Sequence, residues 1–362
     1  MSLSISGLLE RGKTVFPTFF QKKNTTPQIT RRVGLNIGRS NLAACEVSME
    51  NGQLTMERVV HKAYAPESSP VEQLKQFWKD GKFDSKRVIA SIKGRGVVIR
   101  FLNFPKMTPA DFASAIQFEA EKYLPFSLSE VVFDYYLVPG ERAGEAPKTT
   151  MQVILAAARR VEVMKLVETV KAAGLELAAI DVDTFAGTNA FEHACPGESA
   201  HSVGLIDFGA RDTTISILDK GHLEFSRDIA FGGEDMTDLI SRKFNIDREA
   251  ALKIQSESDF TNEAEKAIIP ETLSRLLHEL KLSINYYYNQ RENAAQLETL
   301  FISGGFSKLK ILPQMLENQL ALPVKFWDPA EGFTKGPGIN TEELKTLTPY
   351  LPVSIGLTLR PQ

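Results

Sequence analysis

Two stretches of this chain, about half its length apart, repeat one pattern, and that repeat narrows the folds open to it. The first runs Val33-Gly34-Leu35-Asn36-Ile37-Gly38-Arg39-Ser40. The second runs Val203-Gly204-Leu205-Ile206-Asp207-Phe208-Gly209-Ala210-Arg211-Asp212. Each passes from an apolar strand into Asn or Asp, one apolar residue, Gly, and then small or polar residues. Each returns as a second strand, over 42–47 or 213–218. A third strand follows each pair, after Asn51-Gly52 in the first half and Lys220-Gly221 in the second. A duplicated lobe accounts for this spacing. At 362 residues the chain is too long for one compact core and long enough for two lobes.

The tight turns read as phosphate loops. Gly38 and Gly209 allow the backbone conformations and the close approach that such a loop needs. Successive N–H groups in such a turn form an anion-binding concavity. The carboxylate of Asp207 suits Mg²⁺ held through water, because that ion keeps several of its waters. Two loops face to face would clamp the β- and γ-phosphates of ATP from both sides. One Asp-x-Gly turn alone says little, since such turns are common; the pair at this separation carries the inference. The candidate contacts are Asn36, Gly38, Arg39 and Ser40 in the first loop and Asp207, Gly209, Ala210, Arg211 and Thr213 in the second. Two glycine pairs extend the set. Gly232-Gly233, followed by Thr237, opens a helix whose free N–H groups would face a nucleotide. Gly304-Gly305 leads a strand into a helix, and an adenosine fits against residues without side chains.

Composition removes several function classes. A net charge of −3 gives no electrostatic case for nucleic acid. Cys45 and Cys195 lie far apart with no metal-type spacing, which fits two reduced thiols in a reducing compartment. His61, His193, His201, His222 and His278 are scattered, and no HExxH, CxxC or GxSxG motif occurs, so metal or nucleophilic chemistry is not expected. No stretch approaches the roughly 20 apolar residues that span a bilayer. Charges at Glu10, Arg11 and Lys13 break any signal-peptide core, so a cytoplasmic location is expected. Residues 1–30 read either as a frayed tail or as a short amphipathic helix that touches a membrane or a partner.

The domain plan expected is a tail over 1–30, a first lobe over 31–200 and a second lobe over 201–362, whose C-terminal segment packs back towards the first. A different texture begins near Val97: strand, a helix opened by Thr108-Pro109, strand, a charged hairpin loop over 140–149, strand, and a helix ended by Gly174. This reads as a small α/β subdomain inserted at about 100–180.

The order of these parts resembles the actin-like ATPases, and more closely the PilM family of type IV pilus assembly proteins. The matching pieces are Phe104-Pro105-Lys106-Met107, Phe118-Glu119-Ala120-Glu121-Lys122-Tyr123-Leu124-Pro125-Phe126, Asp134-Tyr135, Ala156-Ala157-Ala158-Arg159, Ile180-Asp181-Val182 and Asp228-Ile229-Ala230-Phe231-Gly232-Gly233. The resemblance implies an α/β, actin-like (ribonuclease H-like) fold of two lobes, with the inserted subdomain in the first. It implies ATP between the lobes, Mg²⁺ near Asp207, and Lys253 beside the base or ribose. It further implies a groove beside the inserted subdomain for the N-terminal peptide of a PilN-like inner-membrane protein, with Phe118, Tyr123 and Leu124 as candidates to line or support it. Contacts with other platform proteins and peripheral association at the cytoplasmic face of the inner membrane follow from the same resemblance. One departure stands out: Asn36 occupies the place where the family's relatives carry Asp, which implies weak or absent hydrolysis. Other readings left open are a filament former like FtsA, a platform protein of a type II secretion system, and a small-molecule kinase.

Overall fold

A computed structural model describes residues 30–64, 68–138, 149–257, 263–290 and 294–360. The readings of a tail before Thr30 and of a loop before Thr149 lie outside those residues.

The chain lays down β1 (Thr30–Ile37), β2 (Asn41–Glu50), β3 (Gln53–Ala63), helix α1 (Pro70–Gly81) and β4 (Arg87–Ile92). It then makes a detour through β5 (Val97–Pro105), α2 (Pro109–Glu119), β6 (Val131–Leu137) and β7 (Thr150–Arg159). Helix α3 (Arg160–Ala172), β8 (Glu176–Val182) and α4 (Asp183–Ala194) follow. The second half runs β9 (Ser202–Phe208), β10 (Thr213–Asp219), β11 (His222–Ile229), α5 (Gly233–Phe244), α6 (Arg248–Glu257), α7 (Glu263–Asn289), β12 (Thr299–Ser303), α8 (Leu312–Leu320) and β13 (Val324–Phe326). Last come β14 (Thr334–Lys335), α9 (Thr341–Leu347) and α10 (Pro352–Leu359).

The two large sheets share one topology. The first has the order β14-β3-β2-β1-β4-β8 and the second β11-β10-β9-β12-β13. In both, three successive strands pair antiparallel, and two later strands join the first of them in parallel. The antiparallel part follows from the turns. Asn51, Gly52, Lys220 and Gly221 all have positive φ, which the two-residue turns of a twisted hairpin require. The parallel part needs crossovers, and helices supply them.

Strand β2 is buried from Leu42 to Ser48 because both its faces are covered. Leu42 and Ala44 meet Leu74, Phe77 and Trp78 of α1. Ala43, Cys45 and Val47 alternate to the other side, against Leu344, Leu351 and Ile355 from the end of the chain. Helix α10 is mostly apolar and buried along nearly its whole length, with the Ser354 and Thr358 hydroxyls donating to carbonyls of Leu351 and Ile355. Two glycines let it sit so deep: a Cβ on Gly34 of β1 would lie 2.0 Å from the Ser354 carbonyl oxygen, and one on Gly356 would lie 1.7 Å from that of Ala186 in α4.

The detour forms a separate antiparallel sheet, β5-β7-β6, with α2 on one face. Thr108 caps α2 by accepting the Asp111 N–H at 3.2 Å, with Pro109 at the first position. This subdomain covers 97–159. Helix α3 and β8, which the sequence reading carried into the insertion as far as about 180, belong to the first sheet instead: Val163 and Val170 pack with Val33 and Val88, and β8 pairs in parallel with β4. Cys45 and Cys195 are free thiols, both pushed up by burial, Cys195 to about 11. No helix among the described residues is long and apolar enough to cross a membrane.

Candidate functional site

Open α/β sheets bind ligands beyond the carboxyl ends of their parallel strands, and those ends converge between the lobes. Asn36 stands near the end of β1, Lys93 just after β4, Asp183 just after β8, Asp207 near the end of β9, and Ser303 at the end of β12. They form one network. Lys93 Nζ lies 3.6 Å from Asp183 Oδ2 and 3.7 Å from Asp207 Oδ2. Asn36 Nδ2 donates to Asp183 Oδ2 at 3.3 Å, and Ser303 Oγ donates to Asp207 Oδ1 at 3.4 Å. Burial by itself would depress the Lys93 ammonium. Asp207, Asp183, Asp228 and Asp212 outweigh it and hold that ammonium above its ordinary value. Burial raises the Asp207 carboxyl, and Lys93 pulls it back.

The two hairpin loops close in the same way. The Gly38 N–H donates to the Asn41 carbonyl at 2.9 Å, and the Gly209 N–H to the Asp212 carbonyl at 3.1 Å. In this register Asn36 matches Asp207 and Gly38 matches Gly209. A Cβ on Gly209 would lie 2.7 Å from the Asp212 carbonyl oxygen and 3.3 Å from Lys93 Nζ. The Ser40 carbonyl accepts the Tyr64 N–H at 2.8 Å. Arg39 and Arg211 both turn to Glu234, the second residue of α5. Arg211 Nε donates to Oε2 at 2.8 Å, and Arg39 Nε stands 3.6 Å from Oε1. One carboxylate thus ties the first loop to the second lobe.

Other candidates are engaged within the protein. The N–H groups opening α5 are not free, as the sequence reading had them: those of Gly233 and Glu234 donate to the carbonyls of Gly209 and Ala210 at 3.0 and 2.7 Å, and that of Gly232 to Asp235 Oδ2 at 2.9 Å. The helix start is therefore welded to the second loop. Thr213 is fully buried and its hydroxyl donates to the Phe231 carbonyl at 2.8 Å. Gly304, at φ +87°, allows β12 to pass the Phe208 backbone, where a Cβ would meet the carbonyl oxygen at 2.3 Å. A Cβ on Gly305 would meet the Tyr350 ring at 2.6 Å. Lys253 is exposed on α6, whose inner contact is Gln255 with the Thr237 hydroxyl.

The donor set suits a polyphosphate: a cationic Lys93 between two glycine turns, with Arg39 and Arg211 at the rim. For Mg²⁺ the set is thinner. Asp183 and Asp207 are its carboxylates, both already share Lys93, and no group of three or more His, Cys, Asp or Glu side chains among the described residues is placed to hold a metal ion.

A second cavity, of about 390 Å³, lies on the face of the small sheet opposite α2. Strand alternation explains it. Val153, Leu155 and Ala157 of β7 point to α2, whereas Gln152, Ile154 and Ala156 point to the cavity; on β6 the cavity side is Asp134 and Tyr136. Opposite stands one face of α4, Phe185, Thr188, Asn189 and Glu192, at helical spacing. His222 to Glu224 from the start of β11 complete the wall. Burial pushes the carboxyls of Asp134 and Glu192 up to about 7, against the opposing charge of Arg360 in the case of Asp134.

Residues 34–362 match the model of a family described as type IV pilus assembly protein PilM. The chain belongs to the PilM family. Among solved structures, one of a PilM–PilN type IV pilus biogenesis complex is 26% identical, with a TM-score of 0.81 over 92% of this chain and 99% of that one. The ethanolamine utilization protein EutJ from Carboxydothermus hydrogenoformans shares the fold at 13% identity, with a TM-score of 0.53 over 93% of this chain and 92% of that one. The fold is the actin-like one, two sheets of like order with helices between their strands.

Within this PilM-family chain, the residues picked from sequence for the partner groove do not line the cavity. Phe118 is 81% exposed on α2. Leu124 is buried in the core beneath α2, and Tyr123 packs edge-on to Phe104 with ring centroids 5.9 Å apart. Lys93, Asp183 and Glu234 escaped the sequence reading. The first two had a signal, a charged residue directly after a buried strand in the parallel part of a sheet. Glu234 had none, because its partners come from two distant loops.

Proposed function

We propose that this chain is a cytoplasmic, actin-like nucleotide-binding scaffold of type IV pilus assembly. It binds the N-terminal peptide of a PilN-like inner-membrane protein in the cavity between the small sheet and α4. Through that peptide, and through other proteins of the assembly platform, it is held at the cytoplasmic face of the inner membrane. The observation that carries the reading is the likeness to the PilM–PilN structure along nearly the whole of both chains. In support, the cavity falls within the size range of ligand sites, about 300–1,000 Å³.

The cleft between the lobes takes ATP, with the phosphates against Lys93, the two glycine turns, Arg39 and Arg211. Asp207 would hold Mg²⁺ through water, and the ion would supply positive charge to the phosphates. Hydrolysis is weak or absent. Asn36 offers an amide where a carboxylate was expected, and the same amide and Lys93 occupy Asp183, so that carboxylate is not free to activate water. Isothermal titration with Mg-ATP and a phosphate-release assay test the cleft: measurable binding that Asp207→Ala weakens, with little phosphate released, is expected. No binding of ATP under any Mg²⁺ concentration would sink it. For the partner, the fluorescently labelled N-terminal peptide of the PilN-like protein from the same organism should bind the full chain at micromolar level or tighter.

A further inference from the structure

The groove beside α4 carries charge that the described residues leave uncompensated. Asp134 is 6% exposed; its Oδ1 accepts the Tyr135 N–H at 2.9 Å, and nothing among the described residues bonds its buried Oδ2. The cation whose charge reaches it is Arg360, and that guanidinium is already 3.7 Å from Asp181 and donates to the Ile180 carbonyl at 2.9 Å. Across the groove, Glu192 has no cation paired with it among the described residues. One turn earlier on α4, Asn189 keeps a buried Nδ2 donor without an acceptor among the described residues. His222 and Glu224 stand at the end of the cavity. Buried charges in proteins are paired, because a lone one is costly to desolvate. An orphan acceptor, an orphan donor and a second carboxylate around one cavity are the outline of an absent ligand with a cation and a carbonyl.

We propose that the groove holds the end of a peptide by a positively charged group, either its free α-amino group or an early Lys or Arg side chain, set between Asp134 and Glu192, with Asn189 donating to a peptide carbonyl. This rests on the groove being the partner site and adds the chemistry by which the partner is chosen. Charge complementarity of this kind gives specificity, because an uncharged peptide end leaves the carboxylates unpaired. The raised carboxyls fit the same account: burial raises both, only the shared charge of Arg360 opposes it at Asp134, and no cation opposes it at Glu192.

Fluorescence anisotropy with the full chain tests it. The probe is the synthetic N-terminal segment of the PilN-like protein from the same organism, used native, N-acetylated, and with its Lys and Arg changed to Gln. Native peptide should lose at least about tenfold in affinity on Asp134→Asn with Glu192→Gln. Asn keeps the Oδ1 acceptor for the Tyr135 N–H. If Asp134→Asn unfolds the subdomain, Glu192→Gln alone, at a half-buried helix position, should still cost at least about threefold. Whichever peptide change removes the same affinity, while becoming indifferent to the protein variants, identifies the cation. Native peptide binding the double variant within twofold of wild type overturns the proposal. Ile154→Trp, which fills the groove, separates the two readings. Binding lost there but untouched by the charge variants leaves the groove as the site and removes the cation. Binding unchanged by Ile154→Trp, or none at all, removes both.

Discussion

Arg360→Met tests the buried join between the end of the chain and β8. Arg360 is 3% exposed and Asp181 fully buried, with Nε 3.7 Å from Oδ2. Arg32 Nη1 donates to the carbonyls of Thr358 and Arg360 at 3.1 and 2.7 Å, so the backbone that presents the guanidinium is itself held. Even so, burial raises the Asp181 carboxyl from 3.8 to about 6, while Arg360 and the Val182 N–H pull it down. The sign follows directly. Between those two values the folded chain keeps a proton that the unfolded chain has released, so stability falls as pH rises through that window and is flat above it. Two units at about 1.4 kcal/mol each make the fall about 3 kcal/mol.

Methionine keeps an apolar stem and removes the charge. Asp181 then has no cation but can take a proton, so with its carboxyl at about 6 the charge part of the loss at pH 7 is capped at about 1.4 kcal/mol, and the buried Ile180 carbonyl left without its donor adds about 1–3 kcal/mol. With the guanidinium gone the carboxyl titrates higher still, so the deficit shrinks towards about pH 5.5, where the folded chain keeps the proton. Adding Asp181→Asn removes the orphan charge and recovers the charge part of the loss. Urea unfolding followed by the fluorescence of Trp78 and Trp327 measures all three variants at both pH values. A loss for Arg360→Met below about 1 kcal/mol, an equal loss at both pH values, or no recovery in the double variant would refute the reasoning.

Four further outcomes are expected. Lys93→Met leaves Asp183 and Asp207 without their shared cation and should weaken ATP at least about tenfold in isothermal titration. Glu234→Gln frees Arg39 and Arg211 and should tighten ATP about threefold at low salt, an effect that fades as ionic strength rises. Gly304→Ala puts a Cβ 2.3 Å from the Phe208 carbonyl oxygen at a positive φ and should cost at least about 2 kcal/mol in thermal unfolding. Saturating Mg-ATP should change peptide affinity by at least about fivefold, and saturating peptide should change ATP affinity by the same factor, since coupling of binding is reciprocal; a ratio of one in anisotropy removes the coupling.

Local signals were legible, and remote meetings were not. The hairpins could be read because each depends on neighbouring residues: Asn51-Gly52 and Lys220-Gly221 turn with positive φ as their composition asks, and both phosphate-type loops close Gly to the residue three further on. Thr108-Pro109 opened a helix as capping chemistry requires. Phe118 does not line the cavity because it lies on the outer face of α2. The buried stripe of α2 and the turn after it is Phe112, Ile116 and Ala120, four residues apart, and Phe118 falls about 200° from Ile116 at 100° per residue, on the far side. The packing of the end of the chain towards the first lobe is achieved by a buried helix, which Gly34 and Gly356 admit by facing carbonyls of other elements. The glycines at 304 and 305 suggested a ligand for the same local reason, although their immediate use is to let β12 pass Phe208 and Tyr350.

Helix α4 joins what the sequence presents as separate sites. Its first residue, Asp183, receives Asn36 and Lys93 in the interlobe cleft, and its face from Phe185 to Glu192 forms one wall of the groove. Thr188 borders both the groove and the small cavity beneath Asp183 and Asp207. The helix is twelve residues long, about 18 Å at 1.5 Å per residue, and Gly356 of α10 packs closely against its Ala186 carbonyl. The opposite groove wall includes His222 to Glu224 from the second lobe. A change in the angle between lobes therefore alters the groove from one side while the cleft alters it from the other through the same helix. Coupling between two sites needs an element that both can bias, and in this fold α4 meets that requirement by its two ends.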